Sequence, residues 1–257
     1  MTALTLRVVF HLPLRQTEGF LDSLLSLMGL EVEAPDHTTL CRRNQDVEVP
    51  PLTRAHDRPI HLVVDSTGLK ILGAGEWKVQ KYKTSRKRRD WRKLHIGVDD
   101  EGFIVAAELT ESSEGDASAL PDLLRQIEAP IRRFTADGAY DQRSVYDRVG
   151  AICTEDVVIV IPPRRSGVSA GPTDGLWGQR EAALQRIRKV GRGEWHKESG
   201  YRQQARVENR FFRYKLVLGG GLKARNNNAQ AREAMIGCQI LNRMAELGRP
   251  ESYAVVS

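Results

Sequence analysis

The feature that most constrains this chain is the stretch from Tyr201 to Lys215, whose sequence predicts a helix with three chemically different faces. It contains neither Pro nor Gly, so an unbroken helix is allowed. At about 100° per residue, one face of this helix is apolar and is expected to face the core. The residues of the apolar face are Val207, Phe211, Tyr214 and Leu218. The residues of a second, basic face are Arg202, Arg206, Arg210 and Arg213.

A narrow polar stripe that carries one acid borders the apolar face. Its residues are Tyr201, Gln204, Glu208 and Lys215. A carboxylate at the edge of a buried face is costly unless something pairs with it. In an isolated helix, a structural pair between Glu208 and Lys215 is the simplest interpretation. Two acids elsewhere in the chain favour a shared site instead.

Two predicted strands each end in an acid that precedes a glycine turn. The apolar run at residues 60–64 leads to Asp65, and a second strand at residues 131–136 leads to Asp137. The carboxyl end of a buried strand is where α/β folds present catalytic groups. Taken singly, each aspartate could simply cap its own turn. Between the two strands, a hairpin with an acidic turn and then a helix over 116–128 are predicted.

The order of these elements brings three acids into one predicted site. Asp65 and Asp137 are expected on neighbouring strands, and the later helix would bring Glu208 beside them. Three carboxylates that lie close together repel one another unless cations neutralise them. Mg²⁺ or Mn²⁺ prefers oxygen ligands, and two such ions can activate an attacking oxygen and stabilise a leaving one. We therefore predict a site for two divalent ions.

A strongly basic segment indicates the substrate. Nine of the sixteen residues at positions 78–93 are basic, and Trp77, Tyr82 and Trp91 are interleaved with them. Such dense cations repel one another, whereas a phosphate backbone would relieve the repulsion and aromatic rings suit stacking on bases. The formal net charge of +6 agrees with a polyanionic partner. The predicted nucleic-acid contacts are Lys81, Lys83, Arg86, Lys87, Arg88, Arg89, Arg92 and Lys93.

The chain is predicted to contain two regions. Residues 1–55 are expected to be helical, and their short helices with a basic last member fit a helix-turn-helix and a plain packing module equally well. Residues 56–257 are expected to form a catalytic domain, with a glycine-rich, basic insertion at about 164–200 over the site. A polar, proline-bearing stretch at 44–59 is the predicted linker.

The expected location is the cytoplasm, in association with the nucleoid. No apolar run approaches the roughly 18 residues that a membrane span needs, and the start lacks a signal-peptide pattern. The three cysteines, Cys41, Cys153 and Cys238, are far apart and fit a reducing compartment.

In combination, these segments resemble the DDE transposases of bacterial insertion sequences, and specifically the insertion-sequence-five family. The matching motifs are VVDSTGLK at 63–70, GEWKV at 75–79, WRKLHIGVD at 91–99, VAAELT at 105–110, TADGAYD at 135–141 and the 201–215 helix followed by GGGLKAR. The resemblance implies an RNase H-like α/β fold, a mixed sheet flanked by helices. It also implies a metal-dependent triad of Asp65, Asp137 and Glu208 that cuts element ends and joins them to target DNA. A homodimer that pairs two ends on DNA is expected on the same ground.

The family's helix signature, Y-x2-R-x3-E-x6-K, matches Tyr201, Glu208 and Lys215, and it implies that Tyr201 and Lys215 contact a DNA strand. Gln204 stands at its Arg position, so we expect a weaker, neutral phosphate contact there. Relatives carry several dozen residues before LTLRVVF, so the amino-terminal part that binds element ends is expected to be incomplete. Two alternatives remain open: an RNase H-like nuclease that cuts without joining, and a non-catalytic DNA-binding remnant or self-repressor of the element.

Overall fold

A mixed six-stranded sheet forms the centre of the protein, in a computed structural model that describes residues 1–72, 91–154, 156–169, 171 and 175–248. The strands are β1 (Ile60–Ile71), β2 (Trp91–Val98), β3 (Ile104–Glu111), β4 (Ile131–Ala136), β5 (Val158–Val160) and β6 (Gly221–Leu222). Their order is β3-β2-β1-β4-β5, and β6 pairs with the end of β1. The β1–β2 and β2–β3 pairs are antiparallel, and β1–β4, β4–β5 and β1–β6 are parallel.

Nine α-helices surround this sheet in the described residues. They are α1 (Thr2–Val9), α2 (Leu14–Leu27), α3 (His37–Asp46), α4 (Asp116–Arg125), α5 (Arg143–Ile152), α6 (Leu176–Val190), α7 (Arg192–Glu198), α8 (Ala205–Leu218) and α9 (Asn227–Glu246). A short 3-10 helix at Gly138–Tyr140 follows β4, and a second one at Tyr201–Gln204 precedes α8.

The sheet is covered on both faces, which explains why β1 is apolar at successive positions. Val63 lies in one buried cluster with side chains of α8 and α9, such as Val207 and Leu241. Its neighbours Leu62 and Val64 lie in the opposite cluster with α4 and α5. Successive strand residues point to opposite faces, so the run at residues 62–64 between two helical layers is apolar at every position.

The strand that carries Asp65 is longer than predicted. We expected a strand over 60–64 and a glycine turn, but β1 continues to Ile71 and stays paired with β2 as far as Lys70. Gly68 has a packing role, because a Cβ atom there would lie 3.1 Å from the ring of Trp91. Asp65 is therefore inside a strand, at the point where the parallel pairing with β4 ends.

The predicted helix over 201–215 is present in two parts, a 3-10 turn followed by α8. Its apolar face is confirmed, since all four predicted residues are buried. The basic face is only partly exposed: Arg210 is buried, with its guanidinium against Gly102 in the β2–β3 turn. The prediction for Arg210 was wrong because the helical wheel does not show which neighbouring turn packs over the helix edge.

The amino-terminal helices share core with the rest of the chain. Leu4 of α1 lies in the same buried cluster as Val207 of α8, whereas Ala3, Leu21 and Leu40 form a small cluster of their own. The division at residue 55 stays a prediction. None of the described helices has both the length and the apolar character needed to cross a membrane.

Candidate active site

The strand register places Asp65 and Asp137 next to each other. The last parallel pair between β1 and β4 is Val64 with Ala136, and each acid is the next residue of its chain segment. Neighbouring strands lie about 4.8 Å apart. The backbone also orients both carboxylates: Asp65 Oδ1 accepts a hydrogen bond from Ser66 N at 2.7 Å, and Asp137 Oδ1 accepts one from Ala139 N at 2.9 Å.

The third acid, Glu208, lies on the helix that packs against β1, because its neighbour Val207 shares a buried cluster with Val63. Burial raises the pKa of Asp65 to about 7, and the charges of Asp137, Glu208 and Asp116 raise it in the same direction. Tyr201 is affected in the same way: burial and the charges of Asp137, Asp65 and Glu208 raise its pKa to about 12. Glu208 lies in the first turn of α8 and is exposed. The three predicted acids and Tyr201 thus share one neighbourhood.

Asp116 also belongs to this neighbourhood, although the sequence analysis treated it only as the start of a helix. Its carboxylate accepts a hydrogen bond from Ser66 Oγ at 2.7 Å, and its charge adds to burial in raising the pKa of Asp137. An acid in the first turn of a helix is common for reasons of the helix dipole alone. The sequence signal was therefore too general to single out Asp116.

The chemistry of the three predicted acids suits a hard divalent cation. A partly desolvated carboxylate among like charges, such as Asp65, gains from a cation that neutralises them. As they stand, however, the described residues include no group of three or more His, Cys, Asp or Glu side chains arranged to hold a metal ion. Metal binding by Asp65, Asp137 and Glu208 stays a prediction.

The other residues of the polar stripe have different surroundings. Tyr201 packs on His196, with ring centroids 4.6 Å apart. Lys215 Nζ donates a hydrogen bond to Thr67 Oγ1 at 2.6 Å, two residues beyond Asp65 on β1. Gln204 is only 4% exposed, and its Nε2 donates to Val64 O at 3.3 Å. Burial under β1 is incompatible with the predicted DNA contact of Gln204.

Two of the predicted basic contacts, Arg92 and Lys93, lie within the described residues. Lys81, Lys83, Arg86, Lys87, Arg88 and Arg89 lie outside the described residues, as does the GEWKV motif. Arg92 is 7% exposed and pairs with Glu111, its partner across the β2–β3 ladder, so burial and pairing disfavour the predicted nucleic-acid contact of Arg92. Lys93 donates to Glu114 O at 2.8 Å and contacts Asp116 Oδ1 at 3.3 Å.

A cationic cavity of about 540 Å³ lies beside Lys215. Its charged and aromatic lining residues are His11, Lys70, Trp91, Lys215 and Lys223. The Nζ atom of Lys70 lies 5.5 Å from the centre of a Trp91 ring. Lys70 and Lys223 were not among the predicted contacts, because they are distant from the basic run in sequence. Cations around an aromatic face suit the binding of a nucleic-acid strand.

Two protein-family models match this chain, and both are described as a transposase DDE domain. One matches residues 1–74, and the other matches residues 56–243, which is well over half of the chain. The mixed sheet with helices on both faces agrees with the RNase H-like α/β fold of these enzymes, as predicted. The particular insertion-sequence family stays a resemblance. The chain belongs to the DDE transposase family.

Proposed function

We propose that this protein is a DNA transposase that cuts the ends of an insertion sequence and joins them to target DNA. The observation that carries the proposal is the register of Val64 with Ala136, which supports Asp65 and Asp137 side by side. Glu208 completes the set, since its charge contributes to the raised pKa of Asp65. Lys215 connects this neighbourhood to the cationic cavity, because it lines the cavity and donates a hydrogen bond to Thr67 of β1.

The proposed ligands of two divalent ions, Mg²⁺ or Mn²⁺, are Asp65, Asp137 and Glu208. When bound, such ions activate the attacking oxygen and stabilise the leaving oxygen. The chain's own contribution is to hold the carboxylates in place. Backbone amides of Ser66 and Ala139 each fix one carboxylate oxygen. Such supporting hydrogen bonds restrict the rotamers of ligand side chains and are part of a working site.

The cations beside the acids would bind the DNA backbone. Lys215 is held by Thr67 on the strand that carries Asp65, so a phosphate bound by Lys215 lies near the acids. Lys70 and Lys223 extend the positive surface along the cavity, and Trp91 offers a ring face for a base. These contacts would position the DNA strand without reading its base sequence.

The proposed reaction has two displacements. Water attacks the phosphodiester at the element end, and the bond from phosphorus to the 3′ oxygen breaks, which leaves a 3′-hydroxyl on the element. That hydroxyl then attacks a phosphodiester of target DNA and displaces a second 3′-hydroxyl. No covalent protein–DNA intermediate takes part, and pairing of two ends would require a dimer on DNA.

A cleavage and joining assay tests the proposal. Labelled DNA that carries the native element ends would be incubated with the protein, a supercoiled plasmid and Mg²⁺ or Mn²⁺, with chelator as the control. We expect metal-dependent nicking at the ends and a labelled product joined to the plasmid. Nicking without a joined product would favour the nuclease alternative. Stable DNA binding without nicking at any metal concentration would contradict the proposed enzymatic activity and favour a non-catalytic remnant or self-repressor.

A further inference from the structure

Asp116 contacts side chains of both β1 and β2 close to the proposed triad. It is the first residue of α4, and its Oδ1 atom lies within reach of three side chains on those strands. It accepts a hydrogen bond from Ser66 Oγ at 2.7 Å and contacts Lys93 Nζ at 3.3 Å. His95 Nδ1 lies 3.8 Å from the same oxygen. One carboxylate oxygen thus serves as a common contact point.

Ser66 links Asp116 directly to Asp65. The hydroxyl of Ser66 donates to Asp116, and its backbone amide donates to Asp65 Oδ1 at 2.7 Å. The negative charge of Asp116 also acts on the site, because it contributes to the raised pKa of both Asp65 and Asp137. Asp116 is therefore coupled to the triad by a hydrogen-bonded path and by charge.

Two buried polar atoms near Asp116 have no hydrogen-bond partner among the residues that the structure describes. They are His95 Nδ1 and Tyr140 OH, and both residues are 0% exposed. Burial lowers the pKa of His95 to about 4, so the imidazole is neutral and its contact with Asp116 is not an ion pair. Tyr140 lies close to the acids, since Asp116, Asp65 and Asp137 contribute with burial to raising its pKa. Unpaired buried polar atoms are rare and call for an explanation such as a functional role.

A purely structural role for Asp116 explains only part of these observations. An acid in the first turn of a helix is favourable, and the partly buried contact with Lys93 adds to the stability of the fold. That role would not require a fourth carboxylate next to three others, which adds repulsion.

We infer that Asp116 is a positioning residue of the active site, which acts through Ser66 to hold Asp65 in place for cation binding. The inference rests on the proposed function. Asp116 is not assigned as a ligand, because its Oδ1 atom already contacts Ser66 and Lys93. Its charge would strengthen the attraction of the site for divalent cations, as outer-shell carboxylates do in metal sites.

Calorimetric titration of the full chain with Mn²⁺ tests this inference. The variant is Asp116→Asn, which keeps the shape of the side chain and removes its charge. The matched control is Asp122→Asn, on the same helix, where the acid pairs with Arg125. We expect Asp116→Asn to weaken Mn²⁺ binding by about 10- to 100-fold, the range for outer-shell partners. Asp122→Asn should bind Mn²⁺ as the wild type does.

Ser66→Ala provides a second variant, which keeps Asp116 and its contact with Lys93 and removes the hydroxyl link. We expect it to weaken Mn²⁺ binding in the same direction, and melting curves in chelator would establish that each variant is folded. Unchanged Mn²⁺ affinity in the folded variants, with or without a lower melting temperature, would overturn the positioning role and leave the proposed function standing. Absence of Mn²⁺ binding by the wild type would overturn the proposed function and this inference together.

Discussion

Arg180 of α6 holds the carboxylate of Asp141, four residues beyond Asp137. Its Nε atom donates to Asp141 Oδ1 at 2.7 Å, and its Nη2 atom donates to Oδ2 at 3.3 Å. Both side chains are almost fully buried, with 7% and 1% exposed. The pair therefore ties the predicted insertion to the loop that presents the second acid of the proposed triad.

Replacing Arg180 is expected to destabilise the protein strongly. Arg180→Met leaves the buried charge of Asp141 without its main partner, and such a loss costs about 3–5 kcal/mol of unfolding free energy. The measurement is urea unfolding in chelator. Arg186→Met is the matched control on the same helix, because it breaks an exposed pair with Glu198 that is worth about 0–1 kcal/mol. Equal, small losses in both variants would contradict this role of Arg180.

Removing the hydroxyl of Tyr140 is expected to stabilise the metal-free protein. That hydroxyl is buried and has no hydrogen-bond partner in the described part of the chain, so Tyr140→Phe removes an unsatisfied polar group and should raise the unfolding free energy by about 1 kcal/mol. Urea unfolding of the two proteins in chelator measures the difference. A loss of more than about 1 kcal/mol would instead show that the hydroxyl is hydrogen-bonded in the folded protein.

Two residues of the polar stripe are expected to differ in their effect on DNA binding. Lys215 is exposed beside the cavity, so Lys215→Ala should weaken binding and reduce the salt-dependence slope by about 1. Gln204 is buried under β1, so Gln204→Ala should leave that slope unchanged. Fluorescence anisotropy over a range of salt concentrations measures both slopes. A reduced slope in Gln204→Ala would show that Gln204 reaches the phosphate backbone.

The raised pKa of Asp65 predicts a pH-dependent stability of the metal-free protein. The pKa is about 7 in the fold and 3.8 in its ordinary state, so the folded protein binds the proton more tightly than the unfolded chain. The contribution of Asp65 is therefore most favourable below about pH 4 and is lost as the pH rises through about 7. Asp65→Asn removes this dependence.

Unfolding experiments in chelator at about pH 5 and about pH 8 check the sign of this effect. The difference in unfolding free energy, Asp65→Asn minus wild type, should be larger at about pH 8 than at about pH 5. A difference between the two proteins that stays constant with pH would mean that Asp65 titrates normally in the fold.

The three acids of the proposed triad could be singled out in the sequence because each depends on a local pattern. Asp137 follows an apolar strand, and Glu208 lies on a helix whose apolar face was correctly identified. The end of β1 was misplaced, because the antiparallel pairing with β2 that extends it depends on residues far along the chain. Local periodicity reports which face of an element is buried, but it does not report what packs against it.

The residues that the sequence did not reveal all depend on tertiary contacts. Asp116 of α4 came to notice only because its carboxylate faces Ser66 of β1. Arg92 is part of a basic run, yet the β2–β3 register sets it opposite Glu111. Gln204 occupies a DNA-contact position of the family signature, yet the 3-10 turn before α8 buries it. A motif assigns a residue type to a position, whereas the register determines its surroundings.

The most direct test of a shared catalytic site is the rate of nicking at the element end by Glu208→Gln, in a single turnover with Mg²⁺. The matched control is Glu246→Gln, which removes an exposed acid of α9 that pairs with Arg243. We predict that Glu208→Gln slows nicking by at least about 10³-fold, as expected for one member of a set of residues that act as a unit. The control should nick as the wild type does. Wild-type nicking by Glu208→Gln would contradict the assignment of Asp65, Asp137 and Glu208 as one catalytic site.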